Sequence, residues 1–441
     1  MSEETFDVGY CDIQLATLNR YGELKKPAFD ISSYIVDLSF TESIDSPLLY
    51  GEMSLVDSSG LIDNFPILGE EIFTLRYVDF FNNEITQQFI IYSLSNAVAN
   101  EQQNSMFYKL KFISPQHFIS NSKKVQKSYV NFTTKEMAQL IFDDYIVDEV
   151  NFKDSANKIE IQDTSGTQTL VVPSLQPIAA IDFVCRKSFS AEDKSSNYYF
   201  FQNREKFKMV THEEMFVKNL QTIRYTHDPA LTSDTPANRA RAMNNITSLF
   251  MPKRLNTINE MRNGAMISDV VEIDILNKQY NHNIFKYQDT FKDYKHLEKV
   301  VRFPHTKNFT DAFFGDENVM KSFLIFTDVE REQQKYKDIT GPKVSNRYYL
   351  NSMSMEIEIY GRNDLFAGDV ILIDIPQYEN IGGEGVKDKH KSLSGHWLVQ
   401  TIIHYIKGKT YTSKVTVIKD LVPGDRAGVS TVVNMSSEFE E

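Results

Sequence analysis

The stretch Met353–Pro376, MSMEIEIYGRNDLFAGDVILIDIP, decides how this chain reads. Met353, Met355, Ile357 and Ile359 alternate with Ser354, Glu356 and Glu358, so an extended strand has one apolar and one polar face. Gly361-Arg-Asn-Asp364 then reads as a turn, and Val370–Ile375 as a buried strand entered through Gly368-Asp369. After a Gly- and Lys-rich loop to Gly395, Trp397–Ile406 and Tyr411–Ile418 supply two more strands.

The same order occurs near the start. Phe65–Leu75 (FPILGEEIFTL) corresponds to Asp364–Asp374 (DLFAGDVILID), with Gly69-Glu70 standing where Gly368-Asp369 stands later. A strand and a turn precede each segment, here Gly51–Val56 and Asp57-Ser58-Ser59-Gly60, and two strands follow, here Phe89–Leu94 and Phe107–Ile113. Within Glu71–Tyr77, Phe73, Leu75 and Tyr77 share one face. The repeat predicts two similar small antiparallel β-barrels, and a trimer of such a chain would present six units in a ring.

Between the repeats the pattern is α+β. Thr133-Thr-Lys-Glu136 forms a capping box opening a helix to about Tyr145, and Pro177 opens a second with Ile178, Ile181, Val184 and Cys185 at helical spacing. Tyr198–Phe201 and Phe207–Val210 read as a hairpin. Pro236–Leu249 and Asn256–Arg262 read as helices, Val270–Leu276 as a strand, and the residues from Gln279 to Pro342 as loops. The division expected is an N-terminal arm (1–27), a first barrel (28–120), an α+β domain (121–225), a middle domain (226–342), a second barrel (343–422) and a flexible tail (423–441).

Composition narrows the function. The 441 residues are 41% hydrophobic and 24% charged, with 31 Phe and 22 Tyr, the profile of a folded, β-leaning chain of several compact units. A formal net charge of −13 opposes non-specific phosphate binding. Cys11 and Cys185 stand in no disulfide or zinc pattern. The acidic start MSEETFDVGY lacks a leader pattern and the longest apolar runs are strand-length, so neither secretion nor membrane insertion is expected.

Searches for chemistry return structural readings. No glutamate is followed by the Gly-rich Asp and Thr hairpin of phage lysozymes, and no Gly-x-Ser-x-Gly elbow occurs. His212-Glu213-Glu214 lacks the second histidine a zinc peptidase needs and reads as a surface or capping site. His396 and His404 have the even spacing that places two residues on one strand face. Gly382-Gly383-Glu384-Gly385 lacks a phosphate-cradling context, and Lys123, Lys124 and Lys127 beside Tyr129 read as a solvated turn. No cofactor, metal or catalytic residue is expected.

The block Met355–Pro376 with Gly395–His404 resembles the second tube-forming barrel of the baseplate hub proteins of contractile-tailed bacteriophages. Phe183–Ser188, the Tyr198–Met209 hairpin and Ile258–Asp274 are similar to the middle regions of that family, so the resemblance spans about Tyr34 to Asp420. It implies a non-enzymatic virion protein, assembled in the host cytoplasm and sharing its architecture with type VI secretion spikes. Two tube-type barrels per chain would build a homotrimeric pseudo-six-fold ring joining the six-fold tail tube protein to a trimeric central spike protein. Baseplate wedge proteins and a tape measure protein are further expected partners, and DNA would pass only transiently through the channel. Gly69, Glu70, Gly368, Asp369, Met355, Ile357 and Trp397 are the expected ring-forming residues, and Glu356 and Glu358 the expected channel lining, where negative charge would repel phosphates. A tail-associated cell-wall hydrolase and a carbohydrate- or receptor-binding tail protein, the latter using Phe309, Phe313 and Phe314, are the alternatives.

Overall fold

The computed structural model describes residues 9–21, 28–100, 105–147, 152, 158–193, 195–228, 231, 236–253, 256–275, 277–297, 300–302, 321–327, 336–377, 389–390, 392–420 and 432–434. The chain opens with β1 (Asp12–Arg20), β2 (Phe29–Asp30), β3 (Ile35–Ser43), β4 (Ser46–Asp57), α1 (Leu61–Asn64), β5 (Glu71–Val78), β6 (Glu84–Asn100), β7 (Ser105–Ile113) and α2 (Pro115–Asn121). There follow β8 (Val125–Phe132), α3 (Thr134–Tyr145), β9 (Ile159–Ile161), β10 (Gln168–Leu175), α4 (Pro177–Cys185), β11 (Tyr198–Gln202), β12 (Phe207–Thr211) and α5 (His212–Lys218). Then come β13 (Leu220–Thr226), α6 (Pro236–Met243), β14 (Ser248–Lys253), α7 (Thr257–Asn263), β15 (Ile267–Asp274), β16 (Gln279–Lys286), α8 (Tyr287–Thr290), β17 (Val300–Arg302), β18 (Ser322–Thr327) and α9 (Tyr336–Leu350). The last elements are β19 (Met353–Tyr360), β20 (Val370–Asp374), β21 (Gly395–Lys407), β22 (Thr410–Lys419) and β23 (Val432–Asn434). The molecule is β-rich α+β.

Thirteen strands join in one sheet. Its first half runs β3-β4-β7-β6-β5-β1-β2, and its second runs β14-β19-β22-β21, with β20 pairing β21 and β13 pairing β20. The four-strand cores β4-β7-β6-β5 and β19-β22-β21-β20 therefore have one order, and each is flanked by a strand beside its first and its last member. Residues from both ends of the first half, Ala16 and Leu18 on β1 and Leu38 and Phe40 on β3, share one core. Met355, Ile357, Ile371, Ile373, Trp397 and Val415 fill the equivalent core of the second. Among the described residues no ladder joins β1 to β3 or β13 to β14, so the expected barrels are seen as curved sheets around a common core and not as closed ladders.

The α+β part packs α3 and α4 with the β8–β10 ribbon and the β11-β12-β9 sheet around Tyr129, Ile141, Phe142, Ile181 and Phe207. The capping box is formed: Thr133 Oγ1 accepts from the Glu136 N–H at 3.2 Å, and Glu136 Oε2 accepts from the Thr133 N–H at 2.8 Å. A further sheet, β16-β15-β18, lies beside α9.

Four readings change. The N-terminal arm contains β1, whose ladder along β5 runs from Asp12↔Val78 to Arg20↔Glu71; a bulge between Ile13 and Leu15 breaks its alternation. The helix read over Pro236–Leu249 ends at Met243, where the Asn245 side chain bonds both the N–H and the carbonyl of Asp228 and the chain turns into β14. The residues read as loops include β16, β18 and α9. That helix forms across Gly341 and Pro342 because the Phe285 ring sits where a Cβ on Gly341 would be, so tertiary packing overrides two helix breakers. His212 is buried against Glu213 and Phe216 rather than on the surface. Gly382–Gly385, Phe309, Phe313 and Phe314 lie outside the described residues, as does the tail except for β23, which pairs with β17.

Candidate assembly site: the seam between the two β units

The repeat extends to single residues. Gly69 and Gly368 have φ of +93° and +92°, a backbone glycine reaches without strain. Two residues past the pairs Ile72↔Ile90 and Val370↔Leu398, the ladders β6–β7 and β21–β22 each skip one residue, at Tyr92 and at Gln400. Such a bulge gives one strand an extra residue and bends it. On the polar face the same diagonal ion pair recurs, Lys109–Glu52 at 3.4 Å and Lys414–Glu356 at 2.7 Å.

The bulge divides β21. Residues before it pair with β20, and Thr401–Lys407 pair with β3 from Ser43 to Asp37, which welds the two units into one sheet. The Ser43 and Thr401 hydroxyls meet at 2.8 Å, and the Ile44 N–H donates to the Gln400 carbonyl at 2.9 Å.

A buried polar clamp sits on this seam. Arg204, at the tip of the β11–β12 hairpin, is fully buried with its Nε 3.3 Å from Glu42 Oε1, and its own N–H donates to Glu42 Oε2 at 3.0 Å. Its guanidinium also donates to Tyr77 Oη (3.3 Å), Asn363 Oδ1 (3.4 Å) and Tyr411 Oη (3.5 Å) and to the carbonyls of Arg362 (3.5 Å) and Leu365. Glu42 and Tyr77 belong to the first unit, Arg362, Asn363 and Tyr411 to the second, so one side chain from the α+β part fastens both. Asn363 adds its N–H to Asp79 Oδ2 at 2.8 Å.

Burial raises the Glu42 carboxyl, but Arg204 and then His404 pull it below its usual range, so it is ionised. Burial followed by the Arg204 charge holds His404 down to about 4, against the pull of Glu42, so the imidazole is neutral at pH 7. The tautomer follows: Nε2–H donates to Glu42 Oε1 at 3.2 Å, and Nδ1 accepts from Tyr411 Oη at 2.7 Å. These contacts hold residues of both units and of the α+β part together across the seam.

The expected site residues are placed as follows. Gly368 and Asp369 form the entry to β20; Asp369 is buried and its Oδ2 accepts from the Phe366 N–H and Gln221 Nε2, both at 3.0 Å. In the first unit this job falls to Glu71, whose Oε1 takes the Leu68 N–H and whose Oε2 takes the Gly69 N–H at 3.0 Å, while Glu70 is exposed. Met355, Ile357 and Trp397 lie inside the second core, so they hold the unit together rather than face a neighbour. Glu356 and Glu358 are on the solvent-facing side of β19, but Lys414 neutralises Glu356 locally. The bulge puts His396 and His404 on opposite faces despite their even spacing, with Trp397 and Ile402 on the core side of each half. Lys123 and Lys127 are engaged locally, with the Tyr145 carbonyl and Asp144.

The sequence reading places Tyr77 and Tyr411 in strands and Asn363 in a turn, and singles out neither Glu42 nor Arg204. A lone Arg at a hairpin tip between Asn203 and Glu205 reads as a solvated turn, and its partners stand up to 207 positions away.

No family model matches the chain. In sequence it is similar to a probable baseplate hub protein of Vibrio phage KVP40, 18% identical over 412 residues that cover 89% of this chain and 91% of that protein. In fold it is similar to the 43 kDa tail protein of prophage MuSo2 from Shewanella oneidensis, with a TM-score of 0.52 and 8% identity over 93% of this chain and 100% of the other. The tail protein of Neisseria meningitidis MC58 gives a TM-score of 0.52 and 8% identity, covering 92% and 96%.

Proposed function

We propose, from this resemblance to the phage baseplate hub proteins and to tail proteins of the same fold, that the chain is a structural hub subunit of a contractile phage tail. Three copies would close a pseudo-six-fold ring, seated between the six-fold tail tube and a trimeric central spike and leaving a channel for DNA. The observation that carries this reading is the duplication of the sheet: one chain holds two near-equivalent units joined by one seam, as an adaptor between three-fold and six-fold objects requires. The Arg204 clamp supports it, since a load-bearing ring needs the angle between its units fixed.

The ring surface would be the polar face that carries Glu52, Lys109, Glu356 and Lys414. Its mixed charge makes a poorly adhesive wall for DNA. The α+β parts would sit outside the ring and meet wedge proteins.

Light scattering on purified protein tests the stoichiometry, with a trimer expected. Co-purification with tail tube and spike subunits, and labelling of isolated baseplates, test the position. Absence from baseplates, or muralytic activity in a stable monomer, overturns the reading.

A further inference from the structure

The seam inside the chain is a template for a joint the chain leaves unmade. β21 takes β7-like β22 along one side and, past the Gln400 bulge, β3 along the other. Its counterpart β6 takes β7 along one side, but past the Tyr92 bulge no strand among the described residues pairs with its other side. The counterpart of β3 is β14: Ser39 stands opposite Glu52 and Phe250 opposite Glu356, the two equivalent glutamates. Among the described residues β14 ends the sheet, with β19 on one side and no strand on the other. The chain thus carries one made joint and the two halves of a second.

Both unmade halves are apolar and exposed. Tyr92, Leu94 and Val98 on β6 are 48%, 38% and 60% exposed, and Phe250 on β14 is 61% exposed. An open strand edge beside apolar side chains invites another chain. The two halves are different strands of the chain, which makes the contact heterologous, the kind that closes rings.

We infer that β14 of a second copy of this chain pairs with the Ser93–Asn100 half of β6, repeating in trans the β21–β3 ladder. This rests on the hub reading, and it names the strands through which the copies meet. Carrying the register over from Tyr405↔Ser39 and Ile406↔Leu38 through the partners on β22 and β7, and past a second shift of β6 between Ser95 and Val98, places Val98 beside the neighbour's Phe250 and Ala99 beside its Leu249.

Strand neighbours lie about 4.5–5.5 Å apart at Cα, within disulfide reach. The native Cys11 and Cys185 are buried and give little background. The Val98→Cys/Phe250→Cys and Ala99→Cys/Leu249→Cys proteins are oxidised and run without reductant; linked dimers and trimers are expected from at least one pair and none from the four single variants. In a separate protein, Leu94→Lys with Val98→Lys is expected to weaken self-association at least tenfold by light scattering while the far-ultraviolet spectrum stays unchanged. A trimer that neither cross-links nor responds to the lysines overturns the strand pairing and leaves the hub reading standing. A monomer at every concentration overturns the hub reading, and the pairing with it.

Discussion

The two β units share a strand order, a left-handed glycine at the entry to one strand, a bulge and a diagonal Lys–Glu pair, yet they are finished differently. The second has its long strand β21 covered on both sides, its Gly368 pressed against Phe201 and Met215, and an Asp buried at the turn. The first leaves half of β6 without a partner on one side among the described residues, its Gly69 in looser surroundings, and it uses Glu71 in place of that Asp. The lesson is that one local design tolerates two surroundings: the second unit is the anchored one, clasped by the α+β part, and the first presents the free edge.

The largest expected effect concerns what joins the units. Arg204→Ala strands Glu42 as a buried carboxylate and should lower unfolding stability by about 3–5 kcal/mol, the cost of removing one member of a buried ion pair. Denaturant titration reads it. A loss below about 1 kcal/mol would mean the clamp does not fix the seam.

Substituting the two glycines sharpens the comparison. Alanine at either position meets the left-handed penalty, about 1–2 kcal/mol. At 368 a Cβ also comes within 3.0 Å of Phe201 and 3.1 Å of Met215, whereas at 69 the nearest atom is the Tyr92 carbonyl at 3.9 Å. Gly368→Ala should therefore cost about 1–3 kcal/mol more than Gly69→Ala, and equal losses would show that the second unit is not the tighter one.

The turn acid of the second unit ties stability to pH. Burial pushes the Asp369 carboxyl up to about 7 despite the bonds from Phe366 and Gln221. Between about 4, its value in an unfolded chain, and about 7 the folded state holds more protons, so stability falls as pH rises through that window, by at most about 1.4 kcal/mol per pH unit. Asp369→Asn should flatten that decline in denaturation midpoints taken from pH 4 to 8, and an unchanged slope would remove Asp369 as its source. The smallest effect belongs to the paired ions of the polar face. Lys109→Ala and Lys414→Ala should each move the midpoint least of all these variants, and less still in high salt.

Much of this architecture was legible along the chain. Period-two alternation in Met353–Ile359 and Glu71–Tyr77, the Thr133–Glu136 box and the Gly-acid pairs are local signals, written within a few residues, because side-chain direction in a strand and the reach of a cap depend only on near neighbours. Where a local signal was interrupted the reading slipped: bulges beside Leu15 and at Gln400 hid β1 and put His396 and His404 on opposite faces, and Gly341-Pro342 masked a helix. The matching of Gly69-Glu70 with Gly368-Asp369 was one residue off for the acid, since a Glu reaches back as far from position 71 as an Asp does from 369.

By itself the sequence determined that this is a β-rich chain with a duplicated strand pattern, and its resemblance to phage baseplate hubs was visible in those same strands. Only the tertiary structure decided how the two copies meet. The β21–β3 ladder and the Arg204 clamp join residues more than 120 positions apart, and such contacts leave no periodicity for a reader of the chain to find. They are set by which edge remains unpaired and which buried charge lacks a partner after each unit has folded.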